Sequence, residues 1–372
     1  MSADHDCASA SRAPALATAP ALPADTLSDV LQSVRLSGAL FFLVDASTPW
    51  VAEAPSAPVL APVLLPSAQH LVSYHVVRDG ACWCESPGLD PVRLEAGDVL
   101  IVPHGHPYAL TSAPGLRSGF SDDQTLGWFR DMSAGLLPFV VREGGGGPDR
   151  IRVICGFLGC DALPFNPVLA TLPPLLAVRL PSAVAGDRLS TLLEFAVAES
   201  RDRRPGSQSV LLRIAELVFV EVVRAQLTSA ATDGGWLAGL RDVLVGRALA
   251  RLHAEPARHW TLTALAHDAG VSRSVLAERF AHFVGHPPMA YLARWRMQLA
   301  ARQLADPTAK VAGVARDVGY ESEAAFSRAF KRMVGAAPAQ WRRRPAVLPL
   351  ARHGNSRHHG LAAREPRRRA RR

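Results

Sequence analysis

Lysine is nearly absent. Only Lys310 and Lys331 occur among 41 basic residues, the rest being arginine, a skew that reads as a genome-composition effect. Cysteine is sparse, five in 372 residues; that excludes a dense disulfide framework and suits a reducing cytoplasm. No apolar run approaches the roughly 18 residues that cross a bilayer, so no membrane partner is expected. Residues 1–24 are rich in Ala, Pro and Ser and lack a basic stretch ahead of an apolar core. They are therefore not read as a secretory signal and are expected to be a disordered tail.

What is present is length for two or three domains and a steep charge gradient. The net charge of +8 conceals three regimes. Residues 1–240 hold 16 basic and 24 acidic side chains, a net of −8; residues 241–341 hold 14 and 8, a net of +6; residues 342–372 hold 11 and 1, a net of +10. A polyanionic partner is expected only toward the C-terminus.

That basic region contains one pattern twice. LTALAHDAGVSRSVLAERFAHFVGHPPMAYL is followed by VAGVARDVGYESEAAFSRAFKRMVGAAPAQW. Asp268 falls on Asp317, Ser272 on Ser322, Leu276 on Phe326, Phe280 on Phe330, Gly285 on Gly335 and Tyr291 on Trp341. The offset is 49 before the turn and 50 after it, so the second turn carries one extra residue, as duplicated helical units do. Each copy reads as a short helix, a Gly turn, and an amphipathic helix capped by Ser272 or Ser322. This is a helix-turn-helix, whose second helix enters the major groove. Between the copies, residues 289–304 predict a stiff connecting helix with Tyr291, Leu292, Trp295, Leu299 and Leu304 on one stripe, stopped at Asp306-Pro307.

The stretch from about Arg247 to Arg343 resembles the DNA-binding domain of AraC/XylS-type transcriptional regulators, most specifically in GYESEAAFSRAFKRMVGAAPAQWRR. The resemblance implies promoter DNA as partner, with the connector holding both recognition helices against successive major-groove segments, roughly 34 Å apart. The groove-facing positions it implies are Arg273, Ser274, Ala277 and Glu278 on the first helix and Glu323, Ala324, Ser327 and Arg328 on the second. Arg279, Lys331 and Arg332 are better placed for phosphates. RNA polymerase is the expected protein partner of such a regulator.

From about Asp25 to Arg179, short apolar runs broken by Gly and Pro predict strands of a sandwich or barrel: GALFFLVDA, HLVSYHVV, ACWCE, PVRLEAGDVLIVP and HPYAL. LEAGDVLIVPHGHPYAL resembles the second motif of cupins, and RVICGFLGCDALPFNPVLATLPPLL resembles a segment of the cupin-type sensors in one AraC subgroup. The resemblance then covers residues 25 to 343 and implies an α+β multidomain chain. It would have an N-terminal cupin-like β-barrel plus helices, and a C-terminal all-α domain with two helix-turn-helix motifs. Metal-dependent cupins use two His, a carboxylate and a further His. Here Ser73 precedes His75 by two, and Tyr108 stands where the later His is usual. His104 and His106 would share a face if the strand reached them. Zinc or another divalent metal at His75, His104 or His106 is one reading, and polar residues at a barrel mouth the other.

Cys82 and Cys84 stand at strand period, and Cys155 and Cys160 lie five apart. Four converging thiols would make a zinc site, and reactive ones a redox switch; buried inert cysteines are the alternative. Cys7 is incidental. RLSTLLEFAVAES and QSVLLRIAELVFVEVVRAQL predict helices around Arg203-Arg204-Pro205-Gly206, the second so apolar that it needs cover from the barrel or from a second copy of the chain. Residues 187–235 are read as a linker and dimerisation segment, 241–343 as the DNA-binding domain, and 344–372 as a basic disordered tail able to touch phosphates. The expectation is a cytoplasmic, nucleoid-associated regulator, not an enzyme, answering to a small-molecule or redox effector. A cupin-fold metalloenzyme with an accessory helical domain, or a thiol/zinc sensor, is the competing expectation.

Overall fold

A computed structural model describes residues 25–343 except 34–35, 67, 69, 161–164, 180–184, 203 and 229–233. The expected tails, Cys7, Arg203 and part of the Thr232–Gly235 linker lie outside the described residues. The elements run α1 (Thr26–Ser33), β1 (Leu36–Ser47), β2 (Val51–Ala54), α2 (Ala57–Leu64), β3 (His70–Asp79), β4 (Ala81–Glu85), β5 (Val92–Glu95), β6 (Asp98–Val102), β7 (Tyr108–Thr111), α3 (Asp122–Ser133), β8 (Val140–Gly144), β9 (Arg150–Cys160), α4 (Pro167–Thr171) and β10 (Leu176–Arg179). Helices follow: α5 (Ala185–Asp202), α6 (Ser207–Thr228), α7 (Trp236–Arg241), α8 (Val243–Ala254), α9 (Leu262–Ala269), α10 (Arg273–Val284), α11 (Pro288–Gln303), α12 (Val311–Asp317), α13 (Glu323–Val334) and α14 (Pro338–Arg342). No described helix is long and apolar enough to cross a membrane.

The strands form a six-stranded sheet, β10-β6-β3-β9-β1-β8, and a four-stranded sheet, β2-β7-β4-β5. Strand parity sorts the larger sheet into two faces. On β9, Ile151, Val153, Cys155 and Phe157 enter the core between the sheets, with Phe42 and Val44 of β1, Leu100 and Val102 of β6, and Cys82, Cys84, Leu94 and Leu110 of the smaller sheet. The residues between them turn outward: Ile154, Leu158 and Cys160 of β9, Tyr74 and Val76 of β3, Val99 and Ile101 of β6. Both faces are apolar, so the outer one also has to be covered.

The cover is helical. Leu189, Leu193 and Ala196 of α5 and Leu211, Ile214, Val218, Phe219, Val222 and Val223 of α6 pack onto that outer face. The same continuous core runs on through Trp236, Leu249 and Leu252 to Leu265, Leu276, Phe280, Tyr291 and Trp295. The first helix-turn-helix, α9–α10, thus shares one core with the sensor sheet. The second, α12–α13, has a separate core of Met297, Leu304, Val314, Val318, Phe326, Phe330 and Trp341.

Symmetry of the repeat survives in packing. Tyr291 meets Phe280 edge-on at 5.7 Å, and its counterpart Trp341 meets Phe330 at 6.1 Å. The extra residue lies in the second turn, since Ser272 follows Gly270 by two and Ser322 follows Gly319 by three. α11 buries Tyr291, Leu292 and Trp295. Its Arg296 ties the units together: Nε donates to Pro256 O at 2.7 Å, Nη2 to Arg258 O at 2.8 Å and Nη1 to Gly319 O at 3.4 Å. Residues ahead of the first unit and the turn of the second are thereby joined by one guanidinium.

Gly270 and Gly319 are equivalent turn glycines with φ of +73° and +81°, but a Cβ at Gly319 would stand 2.4 Å from the Ala257 carbonyl oxygen, whereas at Gly270 nothing lies within 4 Å. Gly270→Ala should cost roughly 1 kcal/mol from the left-handed backbone alone, and Gly319→Ala roughly 2–3 kcal/mol, since the backbone must also move. Urea unfolding of the two variants checks the order; equal losses would refute the close approach.

Candidate DNA interface and effector cavity

Local chemistry positions both recognition helices. Thr261 Oγ1 accepts from Ala264 N at 3.1 Å and starts α9, and Ser272 Oγ accepts from Val275 N at 3.3 Å and starts α10. Ser322 Oγ accepts from Ala325 N at 3.2 Å and starts α13. Leu276, Phe280 and Val284 bury one side of α10, and Phe326, Ala329 and Phe330 one side of α13.

The opposite sides carry the residues read from the sequence. Arg273, Ser274, Glu278, Glu323, Ala324, Arg328, Lys331 and Arg332 are exposed, and Ala277 and Ser327 half-buried beside them. Among the described residues Arg273, Arg328, Lys331 and Arg332 make no ion pair, which leaves their charge available. Arg279 is different. Its guanidinium holds Asp242, with Nε 2.8 Å and Nη2 2.5 Å from Oδ2, and lies over the Phe283 ring. Asp242 also caps α8, accepting from Leu244 N and Val245 N. A phosphate would have to compete with that carboxylate for Arg279, so the structure gives this side chain a bracing contact that spacing could not reveal.

In the sensor domain a cavity of about 700 Å³ opens between the sheets and α3. Its wall is largely aromatic and aliphatic: Phe42, Val44, Trp50, Leu110, Trp128, Phe129, Val153 and Phe157. His75 and Tyr108 meet there, with His75 Nε2 2.7 Å from Tyr108 Oη. Burial pushes the His75 imidazole down to about 3, so it is neutral, and its buried Nδ1 has no hydrogen-bond partner among the described residues. Two positions of the incomplete cupin ligand set are joined instead by a hydrogen bond, Tyr108 to His75.

The other metal candidates do not join them. The strand ends at Val102, so His104 and His106 do not share a strand face as expected. They lie in the turn that follows, where His104 Nε2 donates to Leu172 O at 2.8 Å and His106 is exposed. Nor do four thiols converge. Cys82, Cys84 and Cys155 enter the inter-sheet core, while Cys160, five residues from Cys155, falls on the outer face. Odd separation on a strand forces opposite sides. Among the described residues no group of three His, Cys, Asp or Glu could hold a metal ion, and this donor set does not fit one. Burial lifts the Cys82 and Cys84 thiols to about 12 and raises Cys155 well above its usual value, the reverse of a reactive thiol.

Sequence reasoning missed most of the cavity wall. Glu53, Trp128 and Glu143 come from β2, α3 and β8 and Trp50 from just before β2, and their convergence depends on pairings with no local signature. In α3, Ser121 and Gln124 form a reciprocal capping box.

Two tandem helix-turn-helix units on a stiff connector, joined to a cavity-bearing sheet domain, define a DNA-binding regulator. Comparison with known proteins agrees. Residues 25–228 match the cupin family and residues 265–344 a helix-turn-helix domain family. An AraC-like transcription regulator of Streptomyces lividans is 35% identical over 283 residues, 75% of this chain and 89% of that protein. The RCS-specific HTH-type transcriptional activator RclR of Escherichia coli is 25% identical over 279 residues, 75% and 86% of the two chains. The crystal structure of ToxT from Vibrio cholerae is similar at a TM-score of 0.30 and 13% identity, covering 82% of this chain and 97% of that one. The chain belongs to the AraC family of transcriptional regulators, with a cupin-type N-terminal domain.

Mass mapping after brief exposure of the native protein to a thiol-specific alkylator should leave Cys82, Cys84, Cys155 and Cys160 unmodified, and denaturant should expose all four. Rapid native labelling of any of them would restore the redox-switch reading.

Proposed function

We propose that this regulator binds promoter DNA through Arg273, Ser274, Ala277 and Glu278 of α10 and Glu323, Ala324, Ser327 and Arg328 of α13, with Lys331 and Arg332 on phosphates. The observation that carries the reading is the pair of matched recognition helices, each with an unpaired arginine on its exposed side, locked in mutual orientation by α11 and Arg296. Arginine bonds guanine at two points, and glutamate accepts from the cytosine amino group. The acidic sensor half keeps away from the duplex.

Control comes from the cavity. An effector held there works by population shift, favouring one arrangement of sheet and helices. A direct path supports this: Phe165, just past β9, donates its N–H to Gln298 Oε1 of α11 at 3.0 Å and packs edge-on to Tyr291 at 5.6 Å. The protein is a regulator without catalytic turnover, acts in the cytoplasm on the nucleoid, engages RNA polymerase at the promoter, and pairs with a second copy of itself through α6, where Leu217 is half-exposed. Paired subunits suit repeated half-sites on DNA.

Arg328→Ala should weaken binding to the native promoter by about 1–3 kcal/mol and relax one base position, whereas Lys331→Ala should weaken all sequences alike and lower the salt slope by about one. Gel-shift titrations on a base-substitution series separate the two; a uniform loss for Arg328→Ala would reassign it to phosphate.

A further inference from the structure

Two carboxylates line the cavity, Glu53 and Glu143. Glu53 accepts a hydrogen bond from Ser118 Oγ, and neither has a cationic partner among the described residues. Arg117, the one guanidinium lining the cavity among them, is already neutralised by Glu85, Nη1 to Oε2 2.7 Å. Burial raises the Glu143 carboxyl above its ordinary range, as expected of an acid with no counter-charge. His75, 3% exposed, adds no positive charge because burial keeps it neutral. The rest of the wall includes the aromatic residues Phe42, Trp50, Trp128 and Phe157. Aromatic faces attract cations, and half-buried carboxylates attract them more strongly than in water. An anion would meet two uncompensated negative charges.

We propose that the cavity binds a lipophilic organic cation, an amine on an aromatic or aliphatic body, whose ammonium group is neutralised by Glu53 and Glu143 while the body lies against the aromatic wall. This rests on the cavity being the effector site. The preference for positive charge is set by the two glutamates.

Three probes with one apolar body test it on the full-length protein: 1-naphthylmethylamine, 1-naphthalenemethanol and 1-naphthoate. Binding is read by calorimetry, and promoter affinity by fluorescence anisotropy of labelled DNA. The amine should bind on the order of tenfold tighter than the alcohol, and the naphthoate weakest. Glu53→Gln with Glu143→Gln should bring amine and alcohol to equal affinity while leaving alcohol binding in place, which also shows that the variant is folded. Naphthoate binding as tightly as the amine, equal binding of all three, or an amine preference that survives the double substitution overturns the proposal. If the alcohol or naphthoate binds and shifts promoter affinity while the amine does neither, the effector cavity stands and the cation preference falls. If the amine binds with the expected preference but leaves promoter affinity unchanged, the cation site stands and the effector reading falls. Failure of all three to bind overturns both.

Discussion

The six-stranded sheet is apolar on both sides, and neither side can be left to water. One is covered by the smaller sheet, which leaves a cavity; the other is covered by α5 and α6, and the same core runs on through α7 and α8 into the first helix-turn-helix. Each buried leucine or valine in that cover contributes about 1.5–3 kcal/mol. The covering helices therefore cannot lift from the sheet at little cost. Sensor and first DNA-binding unit are held together by the same hydrophobic requirement that folds the sensor.

Polar groups within this core specify how it closes. Tyr291 Oη accepts from Trp236 Nε1 at 2.8 Å and lies 2.8 Å from His253 Nε2, so α7, α8 and α11 meet at one phenol. Burial pushes His253 down to about 3 and keeps it neutral. Unmet, these groups would each cost about 1–3 kcal/mol. The second unit repeats the ring geometry with Trp341, whose Nε1 donates to Ala301 O at 3.1 Å, but its core is its own. Arg296 helps make two similar units into one reading head, because its three carbonyl acceptors lie in the segment just ahead of the first unit and in the turn of the second.

Much of this was legible in the sequence because it is written locally. The repeat, its single insertion, the Ser caps and the Gly turns depend on residues a few positions apart. Strands β1 and β3 to β7 announced themselves by short apolar runs and turn residues, while β2 did not. The cavity was not legible, since Trp50, Trp128, Glu53 and Glu143 come together only through sheet order and the docking of α3. The contact of Arg279 was not legible for the same reason: its partner Asp242 lies 37 residues away. The placement of His104 and His106 turned on where the strand ends, two residues before the first of them, and that of Cys160 on an odd spacing that puts it on the other face.

β9 has one further property. Val153, Cys155 and Phe157 look into the cavity, while Ile154 and Leu158, their immediate neighbours in the chain, look toward the helices. The partition between the two compartments is a single thickness of peptide. Whatever presses on Phe157 from within is felt, one bond along the backbone, by side chains that bear on α5 and α6. A one-residue slip of this strand would exchange the two populations wholesale, so neither lining can drift without the other, and the tenant of the chamber and the helices outside it share a wall.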